Sequence, residues 1–148
     1  MTDQQNKLFR SLTVGNLLTV LLYGEARGEP IESKVAHAWV IKNRVKDKRW
    51  PDNYYDVILQ RKQFSCFNDD DPNLLVLVDL AKRIMDDDWE LNNAALNECW
   101  AIAHGQLSGW FIDNTKGANH YNTVKCDPAW DDKMVLTAKY GKTEFFKG

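Results

Sequence analysis

Leu17-Leu18-Thr19-Val20-Leu21-Leu22-Tyr23-Gly24-Glu25-Ala26-Arg27-Gly28-Glu29-Pro30 is the stretch that decides the fold. Leu17, Leu18, Leu21 and Leu22 recur at one-turn spacing and predict a helix from about Thr13 to Tyr23 with a buried stripe. Gly24 and Gly28 are expected to break that pattern, and Pro30, well tolerated in a first helical turn, opens the next element. Glu25 then falls at the C-terminal end of a buried helix. The helix dipole puts partial negative charge there, and burial disfavours a second negative charge on the side chain. Both effects raise a carboxyl's pKa, which a general acid working near neutral pH requires. A glutamate beside a glycine is also commonly no more than a solvated helix end. Glu29, four residues on, is either a second carboxylate on the same face, a cap for the next helix, or a partner for Arg27.

Outward from this stretch the chain reads as helices first. Val35, Ala36, Trp39, Val40 and Val45 set the inner face of a second helix, with Lys34, Lys42 and Lys46 outward. Trp50-Pro51-Asp52-Asn53 marks a turn, Tyr54 to Gln60 a short helix, and Gln63-Phe64-Ser65-Cys66-Phe67 is too short and mixed to classify. Asp69 to Asp71 with Pro72 open a third long helix facing inward through Leu74, Leu77, Val78, Ala81 and Met85. A fourth carries Leu96, Trp100, Ala103 and Leu107 and stops at Gly109. Beyond Trp110 the chain is rich in turns, and Val135 to Phe146 fits two strands around Gly141. The expectation is an α+β domain, mainly helical, with a small C-terminal β-hairpin, and residues 1–148 forming a single domain.

Composition bounds the function classes. The 148 residues carry 19 basic and 21 acidic side chains and are 44% hydrophobic and 11% aromatic, which suits a compact globular protein. No basic field points to nucleic acid, and the longest apolar run, Leu17 to Tyr23, falls far short of the roughly 20 residues that cross a bilayer. The polar opening Met-Thr-Asp-Gln-Gln-Asn does not read as an export signal. Cys66, Cys99 and Cys126 are odd in number and far apart, so a disulfide framework is not expected, although a Cys66–Cys126 bridge stays open. His37, His104 and His120 lack metal-ligand spacing, so neither a metal nor another cofactor is expected.

Tyr23 to Pro30 resembles the signature of the cell-wall hydrolase family typified by spore cortex-lytic enzymes of the SleB type. The resemblance continues in order through Val35-Ala36, Val40-Ile41-x-Asn43-Arg44-Val45, Gln63-Phe64-Ser65 and Gly117-Ala118-Asn119-His120-Tyr121. It closes on Pro128, Trp130, Met134, Thr137-Ala138 and Gly141 to Phe146, and so covers about residues 17–146. The family's histidine motif usually has threonine and phenylalanine where this chain has Asn119 and Tyr121.

The resemblance implies a lysozyme-like fold that cuts the glycan strands of peptidoglycan, with Glu25 as catalytic acid. Lytic transglycosylases of this kind need no second carboxylate; a muramidase would use one, and Glu29 is the candidate. Gln63, Ser65, Asn119, His120, Tyr121 and Asn122 are the polar candidates for binding sugar hydroxyls and N-acetyl groups. Trp110, Tyr121 and Trp130 are aromatics for either sugar stacking or core, and Trp39 and Trp100 are core. His120 is as readily a structural loop histidine as a substrate contact. The expected setting is a monomeric bacteriophage endolysin, made in the host cytoplasm and released to the wall through a holin-type pore. A non-catalytic glycan-binding or virion-associated module is the alternative from another class. A metal-dependent amidase would need a ligand set that the sequence does not assemble.

Overall fold

The computed structural model describes residues 1–88, 93–124, 128 and 131–148. In chain order it contains α1 (Asp3–Arg10), α2 (Val14–Ala26), α3 (Ile31–Lys46), α4 (Tyr54–Ile58), α5 (Asn73–Met85), α6 (Ala94–Leu107), β1 (His120–Thr123), β2 (Val135–Tyr140) and β3 (Thr143–Lys147). Short 3-10 turns occupy Ser65–Phe67 and Asp131–Lys133.

The axis is α2. Thr13 caps it, its hydroxyl accepting the Asn16 N–H at 3.2 Å, as a threonine before a helix does. Leu17, Leu18, Val20, Leu21 and Leu22 are all at most 1% exposed. A helix apolar on every side must be surrounded, and α3, α4, α5 and α6 pack around it. Thr19 is buried too and satisfies its hydroxyl by donating to Gly15 O at 2.7 Å.

The break expected at Gly24 does not occur, and α2 continues to Ala26. A Cβ on residue 24 would lie 2.8 Å from Leu77 Cδ1 and 2.9 Å from Cys66 Sγ. Glycine there admits α5 and the Cys66 turn against the helix, at a cost of about 1 kcal/mol relative to alanine in helix propensity.

Three other expectations change. The polar N-terminal dozen contains α1, whose capping box pairs Thr2 and Gln5 in both directions and whose Phe9 is fully buried, edge-on to Phe67 at 5.1 Å. Lys34, expected outward, is 3% exposed; its ammonium donates to Glu29 O at 2.8 Å and to Glu98 Oε1 at 2.5 Å. Met85, Trp100 and Leu107, expected inward, are 50%, 38% and 38% exposed. On α6 the buried line runs Leu96, Cys99, Ile102, Ala103 and Gln106. The stripe is set by packing against α2 and α3 together and leaves Trp100 stacked on His104 at the flank. Cys66 and Cys99 are buried and free, while Cys126 and Trp130 lie outside the described residues.

The expected hairpin is present as β2 and β3, but β1 joins it to make a three-stranded antiparallel sheet in the order β1-β3-β2. His120 pairs with Phe146 and Thr123 with Thr143. A bulge at Thr137 shifts the register of β2 against β3 between Leu136 and Ala138. The sheet packs on α3 through Ala36, Val40, Ala118 and Phe145, with Tyr121, Ala138 and Tyr140 around them. The fold is α+β, dominated by helix.

Candidate active site

Glu25 occupies the last turn of α2, where the buried helix meets the sheet. Burial is the largest influence on its carboxyl and raises its pKa to about 7; the Tyr121 hydroxyl lowers it, and the charge of Asp71 raises it. The group is thus close to half protonated at neutral pH, as a general acid needs. Tyr121 reaches Glu25 from β1. Its ring lies in an aromatic cluster with His37 (centroids 4.3 Å apart), Phe145 (6.0 Å) and Phe64 (6.1 Å). Its buried hydroxyl bears on the Glu25 carboxyl and, among the described residues, closes no hydrogen bond of good geometry. The ring is spent on core contacts, which leaves the hydroxyl rather than a stacking face turned to Glu25.

Asp71 and Cys66 complete the surroundings of Glu25, and the Cys66 thiol is held protonated by burial and by the carboxyl's field. Neither was expected from the sequence to lie beside Glu25. Asp71 belongs to a run of aspartates before a helix and reads as a cap, which it also is: its Oδ1 accepts the Asn73 N–H at 2.8 Å. Arg27, one of the candidate partners for Glu29, turns instead to α5. It donates to Tyr23 O at 2.9 Å and Asn73 Oδ1 at 2.8 Å and lies over the Tyr23 ring.

Glu29 points away from this chemistry. Its Oε1 accepts the Thr143 hydroxyl at 2.5 Å and the Ser33 hydroxyl at 3.1 Å, and both oxygens receive the Lys142 N–H at 3.2 Å. Burial raises its pKa, but these donors outweigh that and hold the carboxyl below its ordinary value. An ionised group saturated with donors is a poor proton source. Glu29 fastens the β2–β3 turn to the start of α3. That turn needs Gly141, at φ +57°, because a Cβ would overlap Glu29 Oε2 and lie 2.7 Å from Pro30 Cδ.

A second row of polar groups runs from Gln63 to Trp50. Arg44 organises it from α3, donating through Nε to Asn119 O at 2.7 Å and through Nη1 to Gln63 Oε1 at 2.9 Å. Its guanidinium lies 5.3 Å from the Trp50 ring centroid and 5.4 Å from that of Phe64. Asn43 beside it donates to Ala118 O at 2.9 Å and Asp113 Oδ2 at 3.1 Å, so adjacent residues of one helix pin the segment leading into β1. His120 is half-buried, in hydrogen-bond contact with Asn119 Oδ1 at 2.8 Å and with Trp50 at a ring distance of 5.8 Å. Burial, then the fields of Arg44 and Arg49, depress its pKa to about 4.

The residues expected to bind sugar therefore divide. Gln63 and Ser65 are exposed and His120 is half-exposed along this row. Asn119 is 4% exposed and Asn122 8%. The Asn119 side chain is committed to Gly148, donating to its O at 2.9 Å and accepting its N–H at 3.1 Å. Trp110 is 79% exposed beyond the end of α6. Among the described residues no cluster of three or more His, Cys, Asp or Glu side chains is arranged to hold a metal. A concavity of about 670 Å³ between α1 and the Gln60–Asp70 segment includes neither Glu25 nor Tyr121 in its lining.

Residues 28–146 match the family model described as Cell Wall Hydrolase. Over 53 residues, 36% of the chain, it is 43% identical to the spore cortex-lytic enzymes of Oceanobacillus iheyensis and Bacillus subtilis, a stretch covering 19% and 17% of those proteins. The chain thus matches less than a fifth of the length of these relatives. In structure it resembles the catalytic domain of the germination-specific lytic transglycosylase SleB from Bacillus anthracis, at TM-score 0.59 and 24% identity over 99% of this chain and 97% of that one. The catalytic domain of the Bacillus cereus SleB protein matches at TM-score 0.58 and 23% identity, covering 99% and 93%. These likenesses carry the fold, and the family match covers most of the chain: it belongs to the cell wall hydrolase family.

Proposed function

We propose that the chain cleaves the glycan strands of peptidoglycan as a lytic transglycosylase with Glu25 as its one catalytic carboxyl. The observation that carries this is the contrast between the two glutamates of the signature: Glu25 is held near pKa 7 by burial, and Glu29 is ionised and fully engaged. Glu25 gives its proton to the glycosidic oxygen as the bond from that oxygen to C1 breaks. The resulting carboxylate takes the proton of the muramic acid 6-hydroxyl, whose oxygen bonds to C1 and closes an anhydro ring. No water enters, and Glu25 ends protonated as it began. A nucleophile already tethered to the substrate gains high effective molarity, worth up to about 7–11 kcal/mol of barrier. Gln63, Ser65 and His120 border the strand's path in this reading.

Replacing Glu25 with glutamine keeps the shape and removes the acid. Wall lysis is expected to vanish while the thermal transition stays cooperative; retention of more than about a tenth of activity, under 1.4 kcal/mol of transition-state stabilisation, would exclude Glu25 as the acid. Mass spectrometry of the digest is expected to show products about 18 mass units lighter than those of hydrolysis, the mass of the water not consumed. A digest containing only reducing-end muramic acid makes the enzyme a muramidase instead.

The setting we propose is host lysis as a phage endolysin, with access to the wall through a holin-type pore. The N-terminal segment folds as α1 and contributes the buried Phe9 to the core. Cells producing the protein are expected to stay turbid until the inner membrane is permeabilised. Lysis without permeabilisation counts against this setting and leaves the chemistry standing.

A further inference from the structure

The row of groups that begins at Gln63 does not stop at His120. Trp50 continues it, and beside Trp50 the chain opens a second concavity of about 510 Å³, lined by Val45, Lys46, Asp47, Lys48, Trp50, Pro51 and Asp52. Two guanidiniums are held at this tryptophan, Arg44 at 5.3 Å and Arg49 at 4.8 Å from the ring centroid. The negative face of an indole is a favourable seat for such cations. Asp47 grips Arg49 through both oxygens, at 2.8 Å to Nη2 and 3.1 Å to Nε, and Arg49 also donates to Gly148 O at 2.7 Å. Arg49 is therefore fixed rather than sweeping through solvent. Lys46 and Lys48 are exposed, and among the described residues neither forms an ion pair. Asp52 is the lining carboxylate left over, touched by Asn53 Nδ2 at 3.4 Å.

We infer that this concavity is a subsite for the peptide arm of a muramic acid, Lys46 and Lys48 taking its carboxylates and Asp52 its free amine. The inference rests on the glycan-cleavage reading. In that reading a strand bound at Glu25 would run past Gln63 and His120, and because Trp50 lies 5.8 Å from the His120 ring an arm hanging from a neighbouring sugar would fall beside it. The lining has both signs of charge. That suits a peptide carrying carboxylates and an amine better than a polyanionic phosphodiester, which offers Asp52 no cation. Arg44 couples the subsite to the chemistry, because the same guanidinium that sits at Trp50 also holds Gln63 and the start of β1. A substrate with its arm in place would thus be recognised on both sides of Arg44.

The test uses the full chain carrying Glu25→Gln, so that no probe is consumed, and follows the Trp50 indole N–H by NMR. The probes are a disaccharide tetrapeptide, the same disaccharide with its lactyl carboxyl capped as a methylamide, and a glycerol phosphate oligomer. The tetrapeptide probe is expected to bind at least about threefold more tightly than the capped disaccharide, in line with two exposed charge contacts. The gap is expected to narrow as salt is raised. Adding Lys46→Ala and Lys48→Ala should remove the gap. Equal binding of the two sugars, or a gap that survives loss of both lysines, overturns the subsite. Preferred binding of the phosphate oligomer overturns it in favour of a wall polymer. Whether the wild-type protein lyses walls is read separately, so failure of the enzymatic reading and failure of the subsite give different results.

Discussion

The carboxyl of Glu25 should register in stability as well as in catalysis. Its folded pKa stands near 7, against 4.5 for the free side chain. Between those values the unfolded chain has released its proton while the folded chain keeps it, so the folded state binds more protons and loses stability as pH rises. Above pH 7 the accumulated cost is roughly 3 kcal/mol at one pKa unit per 1.36 kcal/mol. Glu25→Gln escapes it. Melting curves are expected to show the variant gaining on wild type from pH 4.5 to 7 and holding its lead above that; a constant difference would mean that Glu25 is not buried in this way. Two neighbours should move the activity in opposite directions. Tyr121→Phe removes an interaction that favours the ionised carboxyl, so the alkaline limb of the pH–rate profile should shift to higher pH. Asp71→Asn removes a repelling charge and should shift the same limb to lower pH. If both limbs stay in place, the titrating group is not Glu25.

At the level of elements, the contact between Glu29 and the β2–β3 turn is the most exposed to test. Gly141→Ala combines a positive φ with overlap against Glu29 and Pro30, and should cost more than about 1 kcal/mol of stability. Glu29→Gln should cost about 1–3 kcal/mol by weakening acceptors for Thr143, Ser33 and Lys142, with turnover falling far less than in Glu25→Gln. Denaturant midpoints for both proteins measure this, and equal loss of turnover in Glu29→Gln and Glu25→Gln at unchanged midpoint would return Glu29 to the chemistry. The same elements mark where sequence reading stops. The burial of α2 and the place of Glu25 on it were legible because leucine spacing is local. Gly24 was misread because its reason, Cys66 and Leu77 pressing on the helix, comes from residues 42 and 53 positions away. Lys34 looked solvated by period alone and is buried because Glu98 and the Glu29 carbonyl meet its ammonium. His120 to Thr123 is too short to show alternation and is a strand only because β3 supplies its partner backbone. The aspartate run hid Asp71 inside a capping pattern.

Across the whole molecule, acid stability is set by groups of opposite sign. His37 is buried and held neutral, its pKa brought down to about 4 from 6.5 by burial. As pH falls from 6.5 to 4 the unfolded chain takes up a proton that the folded chain refuses, so stability is lost on the acid side. Glu25 tilts the same window the other way. Wild type is expected to show a shallower dependence there than Glu25→Gln, whose melting temperature rises more steeply from pH 4 to 6.5; His37→Gln in that background should reduce the rise by about half if the fold tolerates the change, because His120, also held near 4, supplies the rest. The sheet has a further consequence for when the surroundings of Glu25 are complete. Its middle strand, β3, follows both edge strands in the chain, so a ribosome delivers β1 and β2 before the strand that either can pair with. Tyr121 on β1 has no fixed register until β3 arrives, and Glu25 has no hydroxyl facing it until then. A growing chain from which β3 has not yet emerged therefore carries Glu25 without its complete surroundings, and under the proposed function it cleaves nothing until β3 has been made and paired.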